Sequence, residues 1–505
     1  MSHGAGATPE ARSAGGSASS PEGVVTKRAI ANTLYRGVGE IAGRLASLAL
    51  FAVVARRLGE HGLGAFVFAV AYLGVVMVAV DLGLDRHLLR AIARKQQAAD
   101  QAFSNVIALK LALAVPLFAL SLGALALTGQ SPETQLIVLA LAPGVLADSI
   151  ARTQSSFFAA RERGGPPSLA DAIQRICSAA LGIAALELGY GVVSVGVTYS
   201  IGSTIGVVVG FVLLHRTIGI PARSISHRRW RSLATQSIPY AVQDTFSVML
   251  ARMDQLLLGL LATEAAVGRY GGAYRLFEST FFVTYALTSA FAAMYTYLDA
   301  DSHPPLRVMF QRSIKLSFVL LMPIAVAFTV LATPICRLIY GTGFASATSL
   351  RILGPGVALM SIVTLGISLM VSRESPRRMV LPAAAIAALN VVLNLIFIPV
   401  YHEVAAASVM LFTETVYVVW IMARANRAVG GMQWAQTFLG TLAAAAAMTA
   451  VTLPLDAHLP AALGCGVAAY TIVLLLVERL LSPLDVALVK DIVRNRWRLI
   501  APSSS

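Results

Sequence analysis

The stretch "RGVGEIAGRLASLALFAVVARRLG" (Arg36–Gly59) is long and apolar enough to cross a bilayer. Yet Arg36, Glu40 and Arg44 recur every four residues and share one helical stripe. An ionised side chain at mid-membrane depth costs about 2.5–3.5 kcal/mol even on a lenient insertion scale. At 1.5 Å per residue from Asn32, Arg44 sits roughly 18 Å into a helix of roughly 36 Å, with no snorkelling route to either surface. The stripe is therefore expected to face protein or water, in a hydrated cavity between helices.

Composition agrees with a membrane span here and extends it to the whole chain. Of 505 residues, 57% are hydrophobic and 13% are charged, with a mean hydropathy of +0.74. A soluble domain carries about 25% charged residues, so the chain reads as an all-α polytopic membrane protein. Apolar windows of bilayer length recur fourteen times: 32–55, 63–84, 103–127, 135–159, 168–188, 192–214, 236–262, 265–298, 308–332, 347–371, 379–400, 404–423, 433–453 and 460–480. The eighth, at 34 residues, is too long for one simple span and predicts an interfacial extension or a strong tilt.

The net charge of +14 raises the question of nucleic acid. Its distribution answers it: with a cytoplasmic N-terminus, 25 of the loop Lys and Arg residues fall on inside connections and five (Arg56, Arg57, Arg269, Arg337, Arg351) on outside ones. That is the positive-inside pattern. It predicts both termini in the cytoplasm and the chain in the cytoplasmic membrane, and leaves no charge that calls for nucleic acid. Cys177, Cys336 and Cys465 are isolated in apolar runs, and the His residues lack metal-ligand spacing, so no metal or cofactor is expected.

The chain also repeats. A shift of 204 residues lays "LGEHGLGAF" (Leu58–Phe66) on "ATEAAVGRY" (Ala262–Tyr270), matching Glu60 with Glu264, Gly64 with Gly268 and Phe66 with Tyr270. The same shift places Glu40 opposite Asp244, and a shift of 211 sets Tyr190 on Tyr401. An even number of spans per unit makes the repeats parallel. The predicted organisation is a disordered cytoplasmic tail (1–28), a six-helix bundle (29–214), a basic linker (215–234), a second six-helix bundle (235–425), two further membrane helices (426–482) and a basic tail (483–505).

Inside the spans lie Lys110, Asp148, Arg152, Asp171, Arg175, Asp244, Arg252, Asp254, Arg275, Glu278, Lys315 and Glu414, besides the opening trio. Glu40–Arg44, Asp148–Arg152 and Asp171–Arg175 are acid-then-base pairs at i, i+4, able to neutralise one another. Asp171–Arg175 and Lys315 lie near the inner ends, where snorkelling is expected. Arg36, Arg44, Arg152, Arg252 and Arg275 are the candidate substrate ligands, because guanidinium presents paired donors to phosphate oxygens. Glu40, Asp148, Asp244, Asp254 and Glu278 are candidates for holding these Arg side chains or for binding a coupling proton or Na⁺.

"NTLYRGVGEIAGRLASLALFAVVARRLGEHGLGAF", "DLGLDRHLLRAIAR" (Asp81–Arg94), "VGRYGGAYRLFE" (Val267–Glu278) and "LNVVLNLIFIPVY" (Leu389–Tyr401) resemble the polysaccharide transporters, or oligosaccharide flippases. These belong to the multidrug/oligosaccharidyl-lipid/polysaccharide exporter superfamily. The resemblance implies a V-shaped pair of six-helix bundles. It also implies alternating access that moves a polyprenyl-diphosphate-linked glycan between leaflets, for lipopolysaccharide or exopolysaccharide synthesis, alongside membrane lipids and polysaccharide polymerase machinery. The chain departs from the family at "YHEVAAA" (Tyr401–Ala407), where Gly-rich turns are common.

Competing classes fare less well. None of the five lysines follows a Gly, so the chain carries no Gly-Lys phosphate-binding loop for ATP. The short outside loops do not suit a membrane glycosyltransferase. A cation-coupled multidrug antiporter or a lipid II-type flippase remains open on the same fold, since fold does not determine substrate. The Arg content of spans 1, 4, 7 and 8 points to an anionic head group rather than an organic cation.

Overall fold

A computed structural model describes residues 21–93, 99–161, 163, 165–219, 225–297, 303–373 and 377–481; at 21–38, at 40 and at scattered positions near segment ends and within helices, the description is of the backbone alone. Among the described residues there are sixteen α-helices and no strand. Helices satisfy every backbone group internally, which hydrocarbon demands of a spanning segment.

The first seven helices are α1 (Pro21–Asp81), α2 (Leu84–Ala93), α3 (Ala99–Ala126), α4 (Pro132–Ala159), α5 (Gly165–Glu187), α6 (Val192–Thr217) and α7 (His227–Leu261). α8 (Glu264–Ser279), α9 (Phe281–Tyr297), α10 (His303–Val330), α11 (Ala332–Tyr340), α12 (Ala347–Leu353) and α13 (Gly356–Arg373) follow. α14 (Arg377–Ala428), α15 (Trp434–Thr452) and α16 (Leu459–Leu481) complete the chain. α1 is two spans joined at Gly59, whose φ of 69° and ψ of −165° fall in a region essentially reserved for glycine. α14 is likewise two spans, broken at His402 with φ 49°. Here an L-residue supplies the turn that the sequence comparison expects from glycine, at a cost of about 1–2 kcal/mol. Counting these arms, and α8–α9 and α12–α13 as one each, the described residues form fourteen helical segments of about bilayer length.

Three local expectations change. The long eighth window is not one continuous helix: it is divided at Thr280 into α8 and α9. The hydroxyls of Ser279 and Thr280 donate back to the carbonyls of Leu276 and Phe277 at 2.6 and 2.8 Å, which tightens and bends the helix. The tenth window is broken at Gly354–Pro355 and preceded by the unexpected short helix α11. Residues 21–28, expected in the tail, form the first turns of α1; 1–20 and 482–505 lie outside the described residues.

α1 packs on α4, α5, α7 and α8, while α4, α5 and α6 pack together. α10 packs on α13 and α15, α7 on the face of α14, and α15 on α16. The repeat has a direct structural counterpart where α1 crosses α8. A Cβ on Gly64 would stand 1.7 Å from the Glu264 carbonyl oxygen, and one on Gly268 would stand 2.0 Å from that of Glu60. The contact is reciprocal under the 204-residue shift, so the two halves cross about a pseudo-two-fold axis at these glycines.

Successive spans alternate direction, so the connections fall at two ends. The Gly59 end carries the turns at 59, 127–131, 188–191, 262–263, 341–346 and 402. The Gly83 end carries those at 82–83, 160–161, 218–219, 225–226 and 429–433.

Candidate functional site

A cavity of about 440 Å³ opens where α1, α4, α5, α7 and α8 meet. Among the described residues, five guanidinium groups line it, from Arg44, Arg152, Arg175, Arg252 and Arg275, against three carboxylates, Asp148, Asp171 and Glu278. The remaining wall mixes polar side chains such as Ser47, Gln174 and Gln255 with aromatic and aliphatic ones such as Phe51, Leu48 and Val70. Guanidiniums outnumber carboxylates, and in a low-dielectric surround such an excess attracts anions.

The cationic wall is organised around one carboxylate. Glu278 accepts from Arg275 Nη1 at 2.8 Å and lies 3.7 Å from Arg252 Nη2. Arg275 also donates to Ser47 Oγ on α1, and its Cζ sits 4.5 Å from the centre of the Phe51 ring. Arg44 Nη1 approaches the Glu278 carbonyl oxygen at 3.5 Å. Glu278 thus fixes guanidiniums of α7 and α8 while one face of each remains toward the cavity; Arg252 and Arg275 keep 30% and 25% of their side-chain surface exposed.

The opposite wall is built differently. Asp148 accepts from Gln174 Nε2 at 2.6 Å and from the Tyr199 hydroxyl. Arg152 does not close on Asp148 four residues earlier, as its spacing predicts; it reaches Asp81 at the end of α1's second arm, at 2.7 Å. Helical spacing makes two side chains neighbours, but a better-placed partner on another helix takes the bond.

Other candidates sit elsewhere. Asp244 lies outside the cavity lining and pairs with Arg86 of α2 at 2.8 Å. Asp254 is buried beneath the cavity and accepts from the Tyr270 hydroxyl and from the Gln255 amide. The side chains of Arg36 and Glu40 lie outside the described residues. Asp171 and Arg175, expected to snorkel, border the cavity instead. Lys315, expected to do the same, is paired with Glu478 of α16 and anchors the last two spans to α10.

Sequence reasoning missed the polar core beside the cavity. Lys110 of α3 is fully buried, and its Nζ is held by Asp85 at 2.8 Å, Asp81 at 3.0 Å, Thr153 Oγ1 at 2.9 Å and Ser149 Oγ at 3.0 Å. A buried ammonium carries a penalty of several kcal/mol unless it is paired and hydrogen-bonded, and both conditions are met. The clue was the motif "DLGLD", with acids on both sides of a Gly and a lysine alone in the next span. A second cluster, Asn390, Asn394 and Thr413, is buried between the arms of α14 and bonded internally at 3.0 and 3.1 Å.

The sequence profile of the polysaccharide biosynthesis protein family matches residues 29–294, more than half of the chain. The protein belongs to this family. It is a multi-pass membrane transporter of polysaccharide biosynthesis. Agl15 of Haloferax volcanii, described as a probable low-salt glycan biosynthesis flippase, is 23% identical over 355 residues, covering 70% of this chain and 74% of that protein. A solved lipid II flippase, MurJ, in an inward closed conformation, superposes with a TM-score of 0.75 at 16% identity, over 88% of this chain and 99% of that one. An inward-facing multidrug resistance transporter of the MATE family superposes with a TM-score of 0.62 at 16% identity, over 76% and 95%. This family member therefore carries the fourteen-helix fold of that superfamily, as its sequence motifs imply.

Proposed function

We propose that this protein is a flippase that translocates a polyprenyl-diphosphate-linked oligosaccharide across the cytoplasmic membrane by alternating access. The observation that carries the reading is the cavity wall on which Arg252 and Arg275 share the Glu278 carboxylate while Arg44 approaches the Glu278 carbonyl oxygen. A diphosphate presents several anionic oxygens within a few ångström, and a cluster of planar guanidiniums meets them with paired donors. An organic-cation carrier gains nothing from such a wall, and repulsion would cost it affinity.

In this reading the Gly83 end, rich in Arg, is cytoplasmic, as are both termini. Residues 29–214 and 235–425 act as the two moving bundles, with 426–482 as an appendage. A proton or Na⁺ drives the cycle through one of the intramembrane carboxylates: Asp148, Asp244, Asp254 or Glu278, or Glu40. Polysaccharide polymerase machinery receives the product.

Arg44→Ala is expected to abolish transport while expression and folding persist. The test is a null strain complemented with each form and assayed for accumulated lipid-linked glycan and for dye resistance. Glycan accumulation relieved by wild type but not by Arg44→Ala supports the flippase. Altered dye resistance without any effect on the glycan pool refutes it in favour of the multidrug antiporter.

A further inference from the structure

Arg152 contributes a half-exposed guanidinium to the cavity, with 51% of its side-chain surface accessible, yet its charge is already taken by Asp81. Asp81 is the last residue of α1 and stands at a joint. Leu82 and Gly83 follow with φ of 44° and 66°, two successive left-handed residues, and α2 begins at Leu84. Lys110 bridges that joint, holding Asp81 on one side and Asp85 of α2 on the other. The next residue of α2, Arg86, is bonded to Asp244 of α7, and one turn on Arg90 lies 5.1 Å from the centre of the Tyr240 ring of α7. A continuous line of charge contacts thus runs from the cavity to the α2–α7 seam at the Gly83 end.

This line is neutral within the network: Asp81 and Asp85 are matched by Lys110 and Arg152. We propose that Arg152 is an exchangeable ligand whose capture by an anionic head group unlocks the α2–α7 seam. When the anion takes Arg152, Asp81 loses one of its two cationic partners and the joint gains an uncompensated negative charge. The freed charge competes with Asp244 for Arg86, the residue adjacent to Asp85, and the strained joint at Leu82–Gly83 lets α2 follow. An empty transporter keeps this seam shut, and an arriving anion opens it. Asp81 and Lys110 are positioning residues in this scheme. The identity of the anion rests on the diphosphate reading above; the latch itself does not.

The test separates the two. Spin labels at Leu89→Cys and Gln236→Cys, on a background with Cys177, Cys336 and Cys465 changed to Ser, report the α2–α7 distance in full-length protein in nanodiscs. Arg152→Gln mimics capture, and without any ligand it should widen the distance by on the order of 5 Å, about one helical turn. Asp81→Asn removes the competing charge and should keep the distance of the unsubstituted protein. The double substitution should restore that distance, which a merely damaged fold would not do. An unchanged distance in Arg152→Gln, or widening that persists in the double substitution, overturns the latch. Farnesyl diphosphate is the ligand probe: it should widen the seam in the unsubstituted protein and leave Asp81→Asn unmoved, and a bound probe that leaves the unsubstituted seam unmoved also overturns the latch. If calorimetry shows no binding of that probe, the diphosphate reading fails while the Arg152→Gln arm still decides the latch.

Discussion

The two ends of the molecule are closed by different means. At the Gly59 end, contact is between main chains and through shielded charge. Gly64 and Gly268 each sit against the carbonyl of the other half, and Arg269 bonds Glu60 at 2.8 Å and Glu403 at 2.6 Å, all three side chains less than a quarter exposed. The repeat also exchanges glutamates: Glu60 of the first half accepts from the Ala345 amide just before α12, and Glu264 of the second half accepts from Ser131 and Thr134 at the start of α4. Each half thus ties down the start of a helix belonging to the other.

At the Gly83 end, the seam between α2 and α7 holds Gly83 against the Tyr240–Ala241 main chain, the Arg86–Asp244 ion pair, Arg90 and His87 against the Tyr240 ring, and a small apolar cluster that joins Leu84 and Leu88 to Leu233. Arg86 and Asp244 are 44% and 28% exposed. Ion pairs that wet contribute about 0–1 kcal/mol. A latch meant to yield to a ligand must be weak, whereas one that seals the far side of a membrane must not. The difference in construction is what the proposed latch requires.

That contrast can be broken in stages. The largest effect is expected from Gly64→Val. Its branched side chain has no room against the Glu264 carbonyl, and overpacking against main chain should disfavour closure by about 3 kcal/mol, roughly 100-fold. Labels at His61 and Thr342 should then report a separated Gly59 end, and transport should collapse. Arg269→Ala comes next. It leaves Glu60 and Glu403 facing each other without their cation, and should shift the same distance distribution by about 2 kcal/mol, roughly 30-fold. Arg86→Ala should matter least. It removes a wet ion pair and should change the α2–α7 equilibrium by about 0.5 kcal/mol, roughly twofold. A larger effect from Arg86→Ala than from Arg269→Ala would reverse the proposed division between the ends.

The fold was legible because a bilayer reduces the question to segment length and apolarity, and those survive in a single sequence. The crossing at Gly64 and Gly268 was also visible, as a repeat rather than as a contact. Arg44, Arg252, Arg275 and Glu278, singled out by their depth, line the cavity, whereas Asp254, singled out the same way, does not. Partner choice was not legible. Arg152 bonds Asp81, which is 71 residues away, and passes over Asp148 on its own helix, while Lys315 bonds Glu478 across 163 residues. Spacing along one helix says which side chains are adjacent, but ion pairs are decided by the helices that pack against it. Asp81 and Asp85 escaped notice because they flank a span end, where acids are cheap, and only packing brings the buried Lys110 to them.

The most direct test of the account is the reactivity of a cysteine in place of Arg44, in protein otherwise free of cysteine. If the opening stripe borders a wet cavity that takes an anionic head group, a membrane-impermeant thiol reagent will label Arg44→Cys from one side of the bilayer. A polyprenyl diphosphate will then slow that labelling. A thiol at position 44 that stays unreactive from both sides, with and without the diphosphate, would contradict it.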